Sequence, residues 1–145
     1  MMLFHGVVNS GTVPVLEKVL AYTEARHRML TENIANIDTP GYKARQLNVP
    51  AFQNALKEAL SKRQGDRSPL HVRGTSEFQE GASGRLEVAP TEEPAENILF
   101  HDRTNMRIEK QMAMLAENTL MHQIAADRLK GRFDSLMTAI RGRVS

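Results

Sequence analysis

Ile108, Met112, Leu115, Thr119, His122, Ala126, Leu129, Phe133, Leu136 and Ile140 follow one another at alternating spacings of four and three residues. A seam kept up over more than four heptads specifies an α-helix that packs lengthwise on another helix, as in a coiled coil. It predicts one helix from about Asn105 to Arg141, roughly 55 Å long at about 1.5 Å per residue. A compact chain of 145 residues is only about 40 Å across, so this helix must project from the body.

A partner is present at the other end of the chain. Thr12 is placed to cap a helix, and Pro14 falls in its first turn, where a missing N–H costs nothing. Leu16, Leu20, Thr23, His27, Leu30, Ile34 and Ile37 repeat the same spacing, predicting a helix over Thr12 to Ile37, roughly 36 Å long. The chain leaves by one helix and returns by the other, so an antiparallel pair is the simplest topology. Each seam has two polar members, and a buried polar group without a partner costs about 1–3 kcal/mol. Matching them sets Thr23 opposite His122 and His27 opposite Thr119. Leu16 then meets Leu129, Leu20 meets Ala126, Leu30 meets Leu115, Ile34 meets Met112 and Ile37 meets Ile108.

The shorter helix cannot cover the longer one. Met106, Ala113, Leu120 and Ile124 form a second apolar stripe away from the main seam, at about 100° per residue. Five of the eight methionines lie in this helix, and methionine adapts to irregular packing between neighbours. A long helix with two apolar faces is a helix built for assembly.

Between the helices the organisation changes. Asp38-Thr39-Pro40-Gly41-Tyr42 stops the first helix: Pro40 disfavours helix at Thr39, and Pro followed by Gly marks a type II turn with positive φ at Gly41. A short helix over about Pro50 to Lys62 is expected, with Asn48 near its start and a stripe of Phe52, Leu56 and Ala59/Leu60. Residues 64–97 hold four of the nine glycines and three of the six prolines, and few large apolar residues. They read as a long flexible loop that adds little to the core, with a short strand over Arg85 to Val88. The expected architecture is all-α. Its N-terminal helical region spans 1–63, its flexible middle 64–104 and its long C-terminal helix 105–145, in one structural unit.

Several function classes are excluded. Without cysteine there is no disulfide framework and no thiolate metal site. Net charge is +2 with both signs interspersed, unlike the clustered basic face of a nucleic-acid binder; Lys130, Arg132, Arg141 and Arg143 read as a solvated helix end. No apolar run approaches the roughly 18 residues that span a bilayer, and residues 1–8 lack the charge and length of a secretory signal. His5, His27, His71, His101 and His122 form no metal-binding pair, and no nucleophile or phosphate-loop motif occurs. No enzyme activity, catalytic residue, metal, cofactor or small-molecule ligand is expected.

Two stretches carry a family likeness. Glu32-Asn33-Ile34-Ala35-Asn36-Ile37-Asp38-Thr39-Pro40-Gly41-Tyr42-Lys43-Ala44 resembles the N-terminal signature of bacterial flagellar rod and hook proteins. Asn105 to Leu120, with Met112-Ala113-Met114-Leu115-Ala116-Glu117-Asn118, is similar to that family's final helix. The short length and the lack of a large inserted domain are most similar to proximal rod subunits. The usual Asp-Gly-Asn lead-in of the final helix is replaced by Phe100 to Asn105, and a frequent Tyr is His122.

The resemblance implies a structural subunit of the basal-body rod in the periplasm, exported by the flagellar type III apparatus without a cleaved signal. Its implied partners are other copies, other rod subunits and the membrane-ring junction. It marks Asn33, Ala35, Asn36, Thr39, Pro40, Gly41 and Tyr42 as the family turn. Leu16, Leu20, Leu30, Ile34, Ile108, Met112, Leu115, Asn118, His122, Leu129, Phe133 and Leu136 form the expected assembly seam. The competing expectation is a helical adaptor or chaperone-like module that uses the same seams on a soluble partner.

Overall fold

A computed structural model describes residues 11–65, 68–93 and 103–142, with side chains of the last helix from residue 107 onward. The first helix, α1 (Val13–Ala35), begins with Pro14 in its first turn. Thr12 stands at the N-cap position, but its side chain makes no capping hydrogen bond. The helix ends two residues before the expected Ile37.

α1 is followed by β1 (Arg45–Gln46) and α2 (Val49–Lys62). Asn48 caps α2, its side-chain oxygen accepting from the Ala51 amide at 3.0 Å. The face α2 buries is Phe52, Ala55 and Ala59, while Leu60 is exposed. Phe52 and Ala59 of the expected stripe are buried, and the difference lies between them, where Ala55 is buried and Leu56 half-buried against the core.

The middle of the chain departs most from expectation. It contains β2 (Phe78–Glu80), β3 (Leu86–Val88) and β4 (Thr91–Glu92). β2 and β3 form an antiparallel hairpin with Phe78 opposite Val88, and β4 pairs antiparallel with β1, Arg45 opposite Glu92. Two small sheets thus qualify the all-α expectation. The segment also feeds the core, since Leu70, Val72, Phe78 and Leu86 are all buried in it. Three of these four are aliphatic, and the fourth, Phe78, joins an aromatic cluster. Phe78 stands edge-on to both Tyr22 of α1 and Phe52 of α2, whose rings stack at 3.9 Å between centroids. Such pairs each add about 0.5–1.5 kcal/mol beyond burial.

A buried ion pair ties the hairpin to α1. Lys18 is enclosed, pairs with Glu80 and donates to the Gly84 carbonyl at 3.1 Å. Glu80 also accepts from the Val72 amide at 3.0 Å, so the carboxylate is satisfied from several directions.

The last element, α3 (Arg103–Arg141), is 39 residues long, roughly 58 Å, against 23 residues and roughly 35 Å for α1. α3 packs along α1 and extends past its start. No described helix is long and apolar enough to cross a membrane.

Candidate assembly surface

The turn after α1 is held by one side chain. Asn33 is buried, and its amide oxygen accepts from the Arg45 backbone N–H at 2.9 Å. Its amide nitrogen donates to the Arg45 carbonyl at 2.7 Å. The side chain therefore imitates a strand partner for Arg45, and the chain doubles back beside the helix it has just left. Tyr42 donates its hydroxyl to the same Asn33 oxygen at 3.1 Å. Between them the Tyr42 amide donates to the Thr39 carbonyl at 3.2 Å, with Gly41 at φ +78°. This is the type II turn expected from Pro40-Gly41.

The motif divides into two groups. Asn33 and Tyr42 face inward. Ala35, Thr39, Pro40 and Gly41 are exposed, and Asn36 is half-buried with its side chain donating to the Glu32 carbonyl.

Along the helix pair, contacts run in opposite chain order. Thr23 meets His122 at 2.8 Å, Arg26 reaches Glu117 at 3.5 Å, and Asn33 reaches Gln111 at 3.5 Å. As the α1 position rises, its α3 partner falls. Thr23 opposite His122 is one of the expected pairs. The other polar match does not form: His27 is exposed, and Thr119 returns its hydroxyl to the Leu115 carbonyl on its own helix. Asn118 takes up the polar role instead. It is fully enclosed and donates to the Thr23 carbonyl at 2.8 Å.

The expected seam residues fall into three environments. Leu30 and Asn118 are buried. Leu16, Leu20, Ile34, Ile108, Leu115, His122, Leu129 and Leu136 are half-buried. Met112 and Phe133 are exposed, at 58% and 39%, and so are Leu120, Ile124, Met137 and Ile140. A single chain therefore leaves much of the apolar surface of α3 in water.

The flagellar basal body rod protein FlgB of Bacillus subtilis (strain 168) is 32% identical over 134 residues, 92% of this chain and 95% of that protein. The chain belongs to the FlgB family. FlgB of Cereibacter sphaeroides (strain ATCC 17029 / ATH 2.4.9) is 32% identical over 125 residues, 86% of this chain and 90% of that protein. FlgB of Aquifex aeolicus (strain VF5) is 29% identical over 147 residues, 99% of this chain and 98% of that protein. No family model matches the chain. The match to FlgB proteins runs through the middle segment as well as the two terminal stretches that carry the likeness in sequence.

Three positions of this FlgB-family chain escape a reading by seam. Lys18 and Arg26 are buried charges on α1, and Tyr22 is a buried aromatic one helical step from Thr23. Burial pushes the Tyr22 phenol up to about 12, against a smaller opposing pull from Arg26. Its hydroxyl has no hydrogen-bond partner among the described residues. The sequence signal for these was the spacing Lys18, Tyr22, Arg26, Met29, a second stripe beside the seam, masked by its two cations.

Proposed function

We propose that this chain is a structural subunit of the proximal rod of the bacterial flagellar basal body, joining a rod that transmits torque. The observation that carries the reading is the large exposed apolar surface of α3 in a chain of the FlgB family. A soluble protein that stays alone rarely keeps such a surface in water.

In this reading α1 and α3 form an antiparallel coiled-coil-like pair, and the uncovered parts of the seam meet neighbouring subunits. The turn from Asn33 to Tyr42 sets the angle at which the rest of the chain leaves that pair. The exposed Ala35, Thr39 and Pro40 lie where a neighbour can read them. The partners are other copies, other rod subunits and the membrane-ring junction. The place is the periplasm, reached through the flagellar type III apparatus without a cleaved signal. The role is mechanical, and no catalytic step or cofactor enters it.

The test is deletion of the gene, followed by swimming assays and electron microscopy of isolated basal bodies. The expected strain is non-motile, with basal bodies that lack a rod. A swimming strain with complete rods would overturn the reading.

A further inference from the structure

Two surfaces of α3 are complementary to each other, and they lie at different heights on the same helix. The first is the outward face of its first half, opposite the buried Asn118 and Ala125. Met112, Leu120 and Ile124 are exposed there, each by more than half, and Met112 and Leu120 line a shallow groove with Ala116 and Gln123. At about 100° per residue, the charges within this face are Glu109 and Asp127, with Lys110, Arg128 and the Arg26-paired Glu117 at its margin. It is an apolar strip with acids.

The second surface is the continuation of the seam past the start of α1. Extrapolating from Thr23 and His122, Val13 lies opposite about Arg132. Gly11 has φ +68°, so the helical path of α1 does not run on through it. Leu129, Phe133, Leu136, Met137 and Ile140 share one side of α3 in this stretch. Arg132 borders that side on one flank, and Lys130 and Arg141 on the other; Asp134 lies just beyond Arg141, and Arg128 farther round. It is an apolar strip bordered by cations whose aliphatic stems extend it.

We propose that the C-terminal stretch of α3 in one copy docks on the outward face of α3 in a second copy, head to tail. The inference rests on the rod reading and specifies one of its contacts. Apolar residues lie against apolar residues, and the bordering cations meet Glu109 and Asp127. Opposite charges at the rim set partner choice and register more than raw affinity. The two surfaces differ, so the contact is heterologous: each copy keeps one free surface of each kind, and addition need not stop at two.

The test uses the full chain in two charge-reversed forms. Glu109→Lys with Asp127→Lys spoils the outward face, and Lys130→Glu with Arg132→Glu spoils the C-terminal stretch. All four residues are exposed, and circular dichroism checks that helicity is kept. In sedimentation velocity at low salt, wild type is expected to give a series of species that grows with concentration and falls back at about 1 M salt. Each variant alone should associate at least about tenfold more weakly. Their equimolar mixture should restore the series with the two variants alternating, because each contact then joins opposite charges, and all four reversals in one chain should restore it as well.

A wild type that stays monomeric, or that closes as a two-fold dimer, would overturn the proposal. So would a mixture that stays monomeric where wild type associates. If strains carrying either reversed form build normal rods while the deletion strain does not, this contact is wrong and the rod reading stands.

Discussion

The Thr23 side-chain oxygen and the His122 Nδ1 lie 99 residues apart in the chain and 2.8 Å apart in space. Thr23 has a single hydroxyl proton, and the oxygen lies within reach of the Val19 and Leu20 carbonyls, at 2.9 and 3.1 Å. With the proton on α1's own backbone His122 is the donor, through Nδ1–H; with Nδ1 unprotonated Thr23 donates to it instead. Nitrogen-15 NMR of the His122 ring separates the two: a proton on Nδ1 makes His122 the donor, and a bare Nδ1 makes Thr23 the donor. A double-mutant cycle with Thr23→Val and His122→Leu, read by urea unfolding, should return a coupling of about 0.5–1.5 kcal/mol. Zero coupling would mean that the pair marks the register without stabilising it.

Asn33 replaces a strand for Arg45, through one donated and one accepted hydrogen bond to that residue's backbone. Asn33→Ala leaves both backbone groups and the Tyr42 hydroxyl without this partner. The expected loss is about 1–3 kcal/mol in urea unfolding, with far-ultraviolet circular dichroism little changed. Asn33→Asp keeps the acceptor but sets a second oxygen against the Arg45 carbonyl and buries a charge, so it should lose at least as much as Asn33→Ala at pH 7.

Gly41 is in the left-handed region, yet a Cβ there would meet nothing within 4 Å. The cost of a side chain is therefore backbone strain alone, about 1–2 kcal/mol for Gly41→Val. Gly41→Asn should recover most of it, because asparagine tolerates this conformation. Equal losses for Val and Asn in thermal unfolding would point to a steric cause instead.

Burial pushes the Glu80 carboxyl up, but hydrogen bonds from Lys18, the Val72 amide and His71 outweigh this and hold it below the ordinary range. The folded state thus binds this proton less readily than the unfolded chain. Stability from Glu80 is present in full above the unfolded value of about 4.3 and is lost as pH falls through the lower folded value. Glu80→Gln should be less stable than wild type at pH 7, and the gap should close as pH falls towards about 3. A gap that widens at low pH in urea unfolding would reverse the assignment.

What the sequence determined by itself was whatever depends on neighbours in the chain. The heptad spacing predicts both long helices, because 3.5-residue periodicity puts these side chains on one face before any partner is present; the Thr23–His122 pair came from matching polar seam members, and the other match, His27 with Thr119, does not form. Pro40 and Gly41 specify their turn through their own allowed φ values, and Asn48 its cap through a bond three residues long.

Only the tertiary structure decided the middle segment and the buried charges. Residues 64–93 hold few apolar side chains, so composition reads as loop, yet Phe78 gains its value from Tyr22 and Phe52 on two other elements. Lys18 reads as a solvated helix residue until Glu80, 62 residues later, comes to lie against it. Asn118 outcompetes Thr119 and His27 for the interior because it faces the Thr23 carbonyl across the helix pair. Lys18 and the Asn118 amide nitrogen find partners through the packing of α1, α3 and the hairpin rather than through spacing along the chain, while the Asn118 amide oxygen and the Tyr22 hydroxyl are buried without one among the described residues.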